Sequence, residues 1–377
     1  MSLVQIDALQ ASAAQPGHDI VIDVRSAAEF AQDHLPGAVN WPVLDDEQRR
    51  VVGTLHAQVS PLQARKVGAA MAARNIAAHL ERWVVDQPRD WRPLVYCWRG
   101  GQRSGSLGWF LSQIGFRTQQ LRGGYKAFRA LVRDELQTLP QRHGFQVVCG
   151  RTGSGKTRLL QALAAEGAQV LDLEALAGHR GSVLGALPGQ PQPSQKRFDT
   201  LCWHALRRFD TARPVYVESE SRKIGALRVP EPLIAQMREH GQCIQLELPW
   251  PARLELLLHE YGHFRADAEG FCRLLEPLIE LRSRATVQAW QAQARAGQWA
   301  EVYGALMQQH YDPLYQRSLR GSYRQLDQAA VLHLADAQAA TLQQAARGLI
   351  AAATRGAALA PPRGEPQSGL VQPCPPR

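Results

Sequence analysis

Two short stretches of this chain carry residue types that do chemistry. The first is Cys97-Trp98-Arg99-Gly100-Gly101-Gln102-Arg103-Ser104, directly after the apolar run Leu94-Val95-Tyr96. The thiolate is the nucleophilic form of cysteine, and cations and convergent backbone N–H groups favour it. A thiol at a strand end, followed by two glycines and two arginines, has both within reach. Cys97 is therefore the candidate nucleophile, with Arg99, Gly100, Gly101 and Arg103 as an anion-binding surround. The polar neighbours argue against an ordinary core cysteine. The second stretch, Gly150-Arg151-Thr152-Gly153-Ser154-Gly155-Lys156-Thr157, is a complete phosphate-binding loop. It follows the strand-like Phe145–Cys149 and precedes the helix-like Arg158–Leu163. Gly150, Gly153, Ser154 and Gly155 shape the cradle, Lys156 brings a positive charge and Thr157 a hydroxyl for Mg2+. Such a loop reads a di- or triphosphate, not a base.

A carboxylate is expected beside that loop. Glu218 ends the strand-like Val215-Tyr216-Val217, where a metal-associated acid would stand, and Asp172 near the end of the preceding strand is the alternative. No adenine-reading signature accompanies them, which leaves room for a non-nucleotide diphosphate. His259-Glu260-Tyr261-Gly262-His263 has the spacing of a zinc helix, but Gly262 breaks it and no third ligand follows. The segment is read instead as a helix end with glycine as its cap. Gly178-His179-Arg180-Gly181-Ser182 and Glu218-Ser219-Glu220-Ser221-Arg222-Lys223 follow two strand ends, where α/β sheets bind anions.

These stretches sit in an alternation of strands and helices. Ile20–Val24, a short strand led into by the turn Leu35–Asn40, Leu94–Tyr96 and Gln119–Leu121 alternate with helices at 26–30, 61–83 and 104–114. Ser26 with Glu29 three residues on has a capping-box pattern. Lys126–Leu139 reads as a connecting helix. A second series follows, with strands at 145–149, 168–173, 214–218 and 243–248, and 253–348 is mostly helical. The fold class expected is α/β: a parallel-sheet domain over 1–138, with a connecting helix from about 126, then a P-loop α/β domain with a helical C-terminal part over 139–350. Residues 351–377, rich in proline and without apolar periodicity, are expected to be a disordered tail holding Cys374.

The chain has 377 residues, enough for two or three domains. Its 43 Lys and Arg against 34 Asp and Glu give a net charge of +9, which weakly favours a polyanionic partner. The six cysteines form no CxxC pair, so neither a zinc ribbon nor a disulfide framework is indicated. No apolar window approaches the ~18 residues of a membrane helix, and the first residues lack the pattern of a signal peptide. A cytoplasmic, reduced protein without membrane association is expected.

Asp23-Val24-Arg25, His34-Leu35-Pro36-Gly37-Ala38, the Cys97 turn and Leu121-Arg122-Gly123-Gly124-Tyr125 together resemble a rhodanese domain from Ile20 to Tyr125. Rhodaneses carry sulfur or selenium on the loop cysteine, so the resemblance implies that Cys97 is the carrier and that Asp23 and Arg25 are structural. A rhodanese domain joined to a P-loop domain resembles the tRNA 2-selenouridine synthase family. Further segments in support are Val52-Gly53-Thr54-Leu55, Ala64-Arg65-Lys66-Val67-Gly68 and Tyr311-Asp312-Pro313-Leu314-Tyr315. The resemblance implies a transferase acting on the wobble 2-thiouridine of tRNA anticodons. Geranyl diphosphate first alkylates the sulfur, and selenophosphate selenium then replaces the geranylthio group. The implied partners are tRNA and, for selenium supply, selenophosphate synthetase. No tightly bound cofactor is expected, with Mg2+ a candidate at the phosphate loop. The alternative is an ATP-dependent tRNA sulfurtransferase, and a non-enzymatic reading is a tRNA-binding or redox-sensing module.

Overall fold

Two packing units interleave along the chain in a computed structural model, which describes residues 3–12, 17–182, 184–187 and 189–354. One unit draws on the chain up to His143 together with Leu173–Arg213 and Glu220–Gln236. The other draws on Gly144–Asp172, Pro214–Ser219 and the chain from Met237 onward.

In the first unit, β1 (Val4–Ile6), β2 (Ile20–Asp23), β3 (Ala38–Asn40), β4 (Pro93–Tyr96) and β5 (Gln119–Leu121) form one parallel sheet in the order β1-β5-β4-β2-β3. The central strands β2 and β4 are apolar runs because helices cover both faces. Ile22, Val24, Trp41, Ile76, Val95, Leu107, Leu111 and Phe116 make one core cluster. The helix Pro61–Trp83 starts where the sequence predicts: Pro61 occupies the first turn and the Ser60 hydroxyl accepts the Gln63 N–H at 3.0 Å. The expected pairing of Glu29 with the Ser26 N–H also forms, at 3.3 Å.

Past the C-terminal end of β2 lies a buried ion pair. Arg25, 1 % exposed, meets the fully buried Asp23 at 2.6 Å and donates to the Asp33 carbonyl at 2.6 Å. Its guanidinium lies 4.0 Å from the Tyr125 ring centroid. The helix Gln195–Arg208 packs within this same unit. Trp203 sets its edge on Phe128 at 5.4 Å and donates to Glu135 at 2.7 Å, while Thr200 and Tyr125 donate to one oxygen of Asp33 at 2.9 and 2.8 Å. Burial pushes the Asp33 carboxyl above its ordinary range.

The second unit holds β6 (Phe145–Cys149), β7 (Gln169–Leu171) and β8 (Val215–Glu218). The antiparallel hairpin of β9 (Lys223–Ile224) and β10 (Leu227–Arg228) belongs to the first unit. The second sheet is completed by β11 (Gln242–Glu247) and β12 (Ala330–His333), all parallel, in the order β12-β11-β6-β8-β7. Val148, Leu159, Leu163, Ile244, Leu246, Leu342 and Ala346 form its core between the sheet and the helices Lys156–Ala165 and Ala339–Thr354.

The parallel α/β class is as expected, and the local differences have simple causes. The connecting helix begins at Gly124 and ends at Glu135, followed by a 3-10 turn around Pro140. The strand expected over 168–173 is confined to Gln169–Leu171, and Leu173 already starts a helix. Strands β1 and β12 are short edge strands whose residues show too little periodicity to be seen in advance. The helix ending at Thr354 runs past residue 351, and the rest of the expected tail, with Cys374, lies outside the described residues. Among the described residues no helix is long and apolar enough to cross a membrane.

Breaking the Asp23–Arg25 pair would leave a buried carboxylate without its partner. Arg25→Ala is expected to destabilise the protein by about 3–5 kcal/mol, measured by urea unfolding. A loss below about 1 kcal/mol would show that water reaches the pair.

Candidate active sites: a cysteine turn and a phosphate loop

The cysteine turn hangs from the end of β4. The Cys97 carbonyl accepts the Tyr125 N–H at 2.8 Å, and the Trp98 carbonyl accepts the Lys126 N–H at 3.0 Å. These bonds fix the turn to the chain that follows β5. A Cβ at Gly124 would stand 2.4 Å from the Cys97 carbonyl oxygen, so only glycine allows this approach. Gly100 and Gly101 are both left-handed, with φ of 71° and 77°. They reverse the chain so that the helix Gln102–Ile114 starts at Gly101 with no side-chain cap, which leaves its first N–H groups to an anion.

Cys97 itself is 2 % exposed and touches the core cluster, although its polar neighbours in sequence argued against a core position. The reason is its place directly after the central strand β4, where it still packs on the core that the strand carries. Its sulfur still has polar company: Ser104 Oγ donates to Sγ at 3.4 Å and the thiol donates to the Arg99 carbonyl at 3.5 Å. Gln120 Nε2 donates to Ser104 Oγ at 2.8 Å and to the Gly101 carbonyl at 3.0 Å. An ionised sulfur accepts only, so Ser104 is the group that can serve it. Gln120 carried no sequence signal as part of the site, since it lies on β5 and meets the turn only through sheet pairing.

The two arginines differ. Arg99 is exposed. Arg103 pairs with Glu29 at 2.7 and 3.3 Å. Burial would raise the Glu29 carboxyl, but Arg103 holds it below its ordinary value. The anion-binding role expected of both therefore rests chiefly on Arg99 and the turn's N–H groups.

The phosphate loop follows β6. Gly153 and Gly155 are left-handed, with φ of 76° and 84°, and Gly155 precedes the helix Lys156–Ala165. A Cβ at Gly150 would stand 2.4 Å from Ser154 Oγ, and one at Gly153 would stand 3.0 Å from the Arg253 carbonyl. The helix Trp250–Glu260 thus presses on the loop at a glycine. Ser154 turns its hydroxyl inward, where it is buried with no hydrogen-bond partner among the described residues. Its contribution to an anion is therefore through the backbone. Lys156 Nζ donates to the Gly150 carbonyl at 3.0 Å.

Glu218 ends β8 and is buried. Burial pushes its carboxyl up, Lys156 and a hydrogen bond to the Thr157 side chain oppose this, and Asp172 and Glu260 add to the rise. The register Leu171 to Val217 carries Asp172 to the same sheet end. Lys156, Thr157, Asp172 and Glu218, chosen from sequence, thus converge here. Among the described residues, Glu218 Oε1 has no hydrogen-bond partner. A hard divalent cation ligated by this oxygen and the Thr157 hydroxyl fits that donor set. Glu260 was missed because it lay inside the rejected zinc pattern, and it pairs with Arg158 at 3.3 Å. That pattern is broken as expected, since the helix stops at Glu260. Tyr261, not Gly262, takes the C-cap position, and Gly262 opens a 3-10 turn. The 178–182 segment lies in the first unit, where the Gly181 N–H bonds back to His179 Nδ1 at 3.1 Å.

A cysteine turn of rhodanese type and a P-loop α/β unit in one polypeptide define a two-domain class. Residues 5–131 match the rhodanese-like domain, and residues 143–276 match the tRNA 2-selenouridine synthase AAA domain. A tRNA 2-selenouridine synthase of Marinobacter nauticus is 32% identical over 331 residues, covering 79% of this chain and 88% of that protein. One of Verminephrobacter eiseniae is 34% identical over 334 residues, with 79% and 88% covered. The match to a synthase of Nitrosomonas europaea is 36% identical over 245 residues and spans 64% of this chain and 63% of that protein, less than two thirds of its length. The chain belongs to the tRNA 2-selenouridine synthase family.

Glu218 also predicts a pH dependence. Its folded pKa lies above the ordinary 4.5, so the folded state keeps the proton to higher pH than the unfolded chain. Its contribution to stability is full below 4.5 and falls as pH rises through the folded value. Glu218→Gln should remove that slope, leaving the protein more stable than the wild type at neutral pH by urea unfolding across a pH series. An unchanged slope would mean that the carboxyl is solvated.

Proposed function

We propose that this chain converts the wobble 2-thiouridine of tRNA to 2-selenouridine through an S-geranyl intermediate, using geranyl diphosphate and selenophosphate. The observation that carries the reading is the pairing, in a chain of this family, of a thiol turn with a phosphate loop, each built at a strand end with its glycines in place.

The chemistry follows from the two sites. The thiocarbonyl sulfur attacks C1 of geranyl diphosphate, the C–O bond breaks and diphosphate leaves. Lys156 and the N–H groups of the loop stabilise the charge that develops on it. Thr157, Glu218 and Asp172 would hold Mg2+, which when bound neutralises further charge on the diphosphate. Alkylation turns the sulfur into a thiolate leaving group: the selenium of selenophosphate adds at C2, the C2–S bond breaks to release geranylthiolate, and water cleaves the Se–P bond to release phosphate. Cys97 handles the selenium donor, with Arg99, Gly100 and Gly101 receiving its phosphate charge and Ser104 donating to the sulfur. Arg103 supports the turn through Glu29. An anticodon base is unpaired and can be drawn into a site at modest cost. Such a reaction belongs to the cytoplasm, and selenophosphate synthetase is the natural supplier of the donor.

Mass spectrometry of tRNA nucleosides after incubation with both donors tests the reading. Cys97→Ser should reduce selenium incorporation more than about 10^3-fold while S-geranyl-2-thiouridine still accumulates. Selenation that survives this substitution removes Cys97 from the reaction. Lys156→Ala should slow geranylation by about 10^2–10^3-fold. Turnover that requires ATP in place of geranyl diphosphate would favour a sulfurtransferase.

A further inference from the structure

The segment Tyr311–Tyr315 has no part in the chemistry above, yet it reaches the phosphate loop. Helix Asp312–Arg320 follows a π-helical turn at Met307–Tyr311, a feature often found at functional positions. Two links hold it to the loop. Arg253, 4 % exposed, donates to the Thr152 carbonyl at 2.7 and 3.1 Å and to the Asp312 carboxylate at 2.7 and 3.1 Å. The Tyr315 hydroxyl accepts the Gly150 N–H at 2.6 Å and lies 3.1 Å from Ser219 Oγ, one residue beyond β8. The Lys156 ammonium stands 5.7 Å from the centroid of the Tyr315 ring.

These contacts locate the phenol. A P-loop cradles one phosphate on the N–H groups at the start of its helix, and its lysine spans that phosphate and the next one outward. A further phosphate would extend away from the helix, past the lysine and toward the end of the strand that carries the acidic residue. On that side of the loop the Tyr315 hydroxyl touches Gly150 and Ser219, and the Lys156 ammonium stands over the Tyr315 ring.

We propose that Tyr315 closes the outer phosphate position and makes this loop select a diphosphate over a triphosphate. The proposal rests on the diphosphate reading given above and names the residue that enforces it. Burial pushes the Tyr315 phenol up to about 12, so it stays neutral and adds no repulsion toward a diphosphate. A third phosphate would have to break the bonds to Gly150 and Ser219 and move a helix that Arg253 ties to the loop.

Titration calorimetry of the full chain with pyrophosphate and with tripolyphosphate, each with Mg2+, tests this. Wild type should bind pyrophosphate about ten-fold tighter than tripolyphosphate, and Tyr315→Ala should bring the two within about two-fold. Tyr315→Phe keeps the ring and removes only the hydroxyl, so it retains the fold and should recover part of the preference. A wild type that prefers pyrophosphate, with both variants keeping its ratio, overturns the role of Tyr315 and leaves the diphosphate reading standing. A wild type that binds tripolyphosphate as well or better overturns the diphosphate reading itself, and the proposal with it.

Discussion

The first turn of an α-helix has N–H groups that no residue of the helix can satisfy, and both candidate sites depend on where those groups point. In a parallel sheet every strand ends on the same edge, so the helix that follows a strand starts at that edge. A left-handed glycine makes the reversal short enough to keep the N–H groups beside the last strand residue. Gly101 does this after β4 and Gly155 after β6. One device thus serves a thiol in the first unit and a phosphate in the second. Gly124 and Gly153 are needed for a related reason, since a carbonyl presses on each where a Cβ would stand.

Charge is treated differently at the two edges. In the first unit two acidic groups are paired with arginines, while the buried Asp33 takes hydroxyl donors from Thr200 and Tyr125 and burial pushes its carboxyl up. Asp23 has Arg25, and Glu29 has Arg103 together with the Ser26 N–H. The Glu29 pair engages Arg103 of the cysteine turn and leaves Arg99 as the exposed cation of the motif. In the second unit Glu218 is buried with one oxygen unsatisfied and with Asp172 and Glu260 adding negative charge. A hard cation ligated by that oxygen would offset the charge, as Lys156 already does in part.

Much of this was legible from residue order. The phosphate loop needs a fixed spacing, so its glycines, Lys156 and Thr157 could be placed directly. The strand ends that carry Cys97, Asp172 and Glu218 follow from runs of apolar residues. Less legible were contacts made by residues distant in the chain. Gln120 reaches Ser104 only because β5 pairs with β4, and Arg103 meets Glu29 across the strand ends. The helix Gln195–Arg208 lies beyond the P-loop in sequence but buries Trp203 against Phe128 of the first unit, because Asp33 and Glu135 supply its polar partners there.

The sequence by itself determined the parallel α/β class, the positions of both motifs and the family, because spacing and periodicity are local properties that survive without coordinates. Only the tertiary structure decided that Cys97 is buried against the core, that Arg103 is held by Glu29, and that Tyr315 meets the phosphate loop at Gly150. Each of those depends on which strands become neighbours and which helix is pressed against which loop. Packing chooses those partners from the whole chain, and no local pattern records the choice.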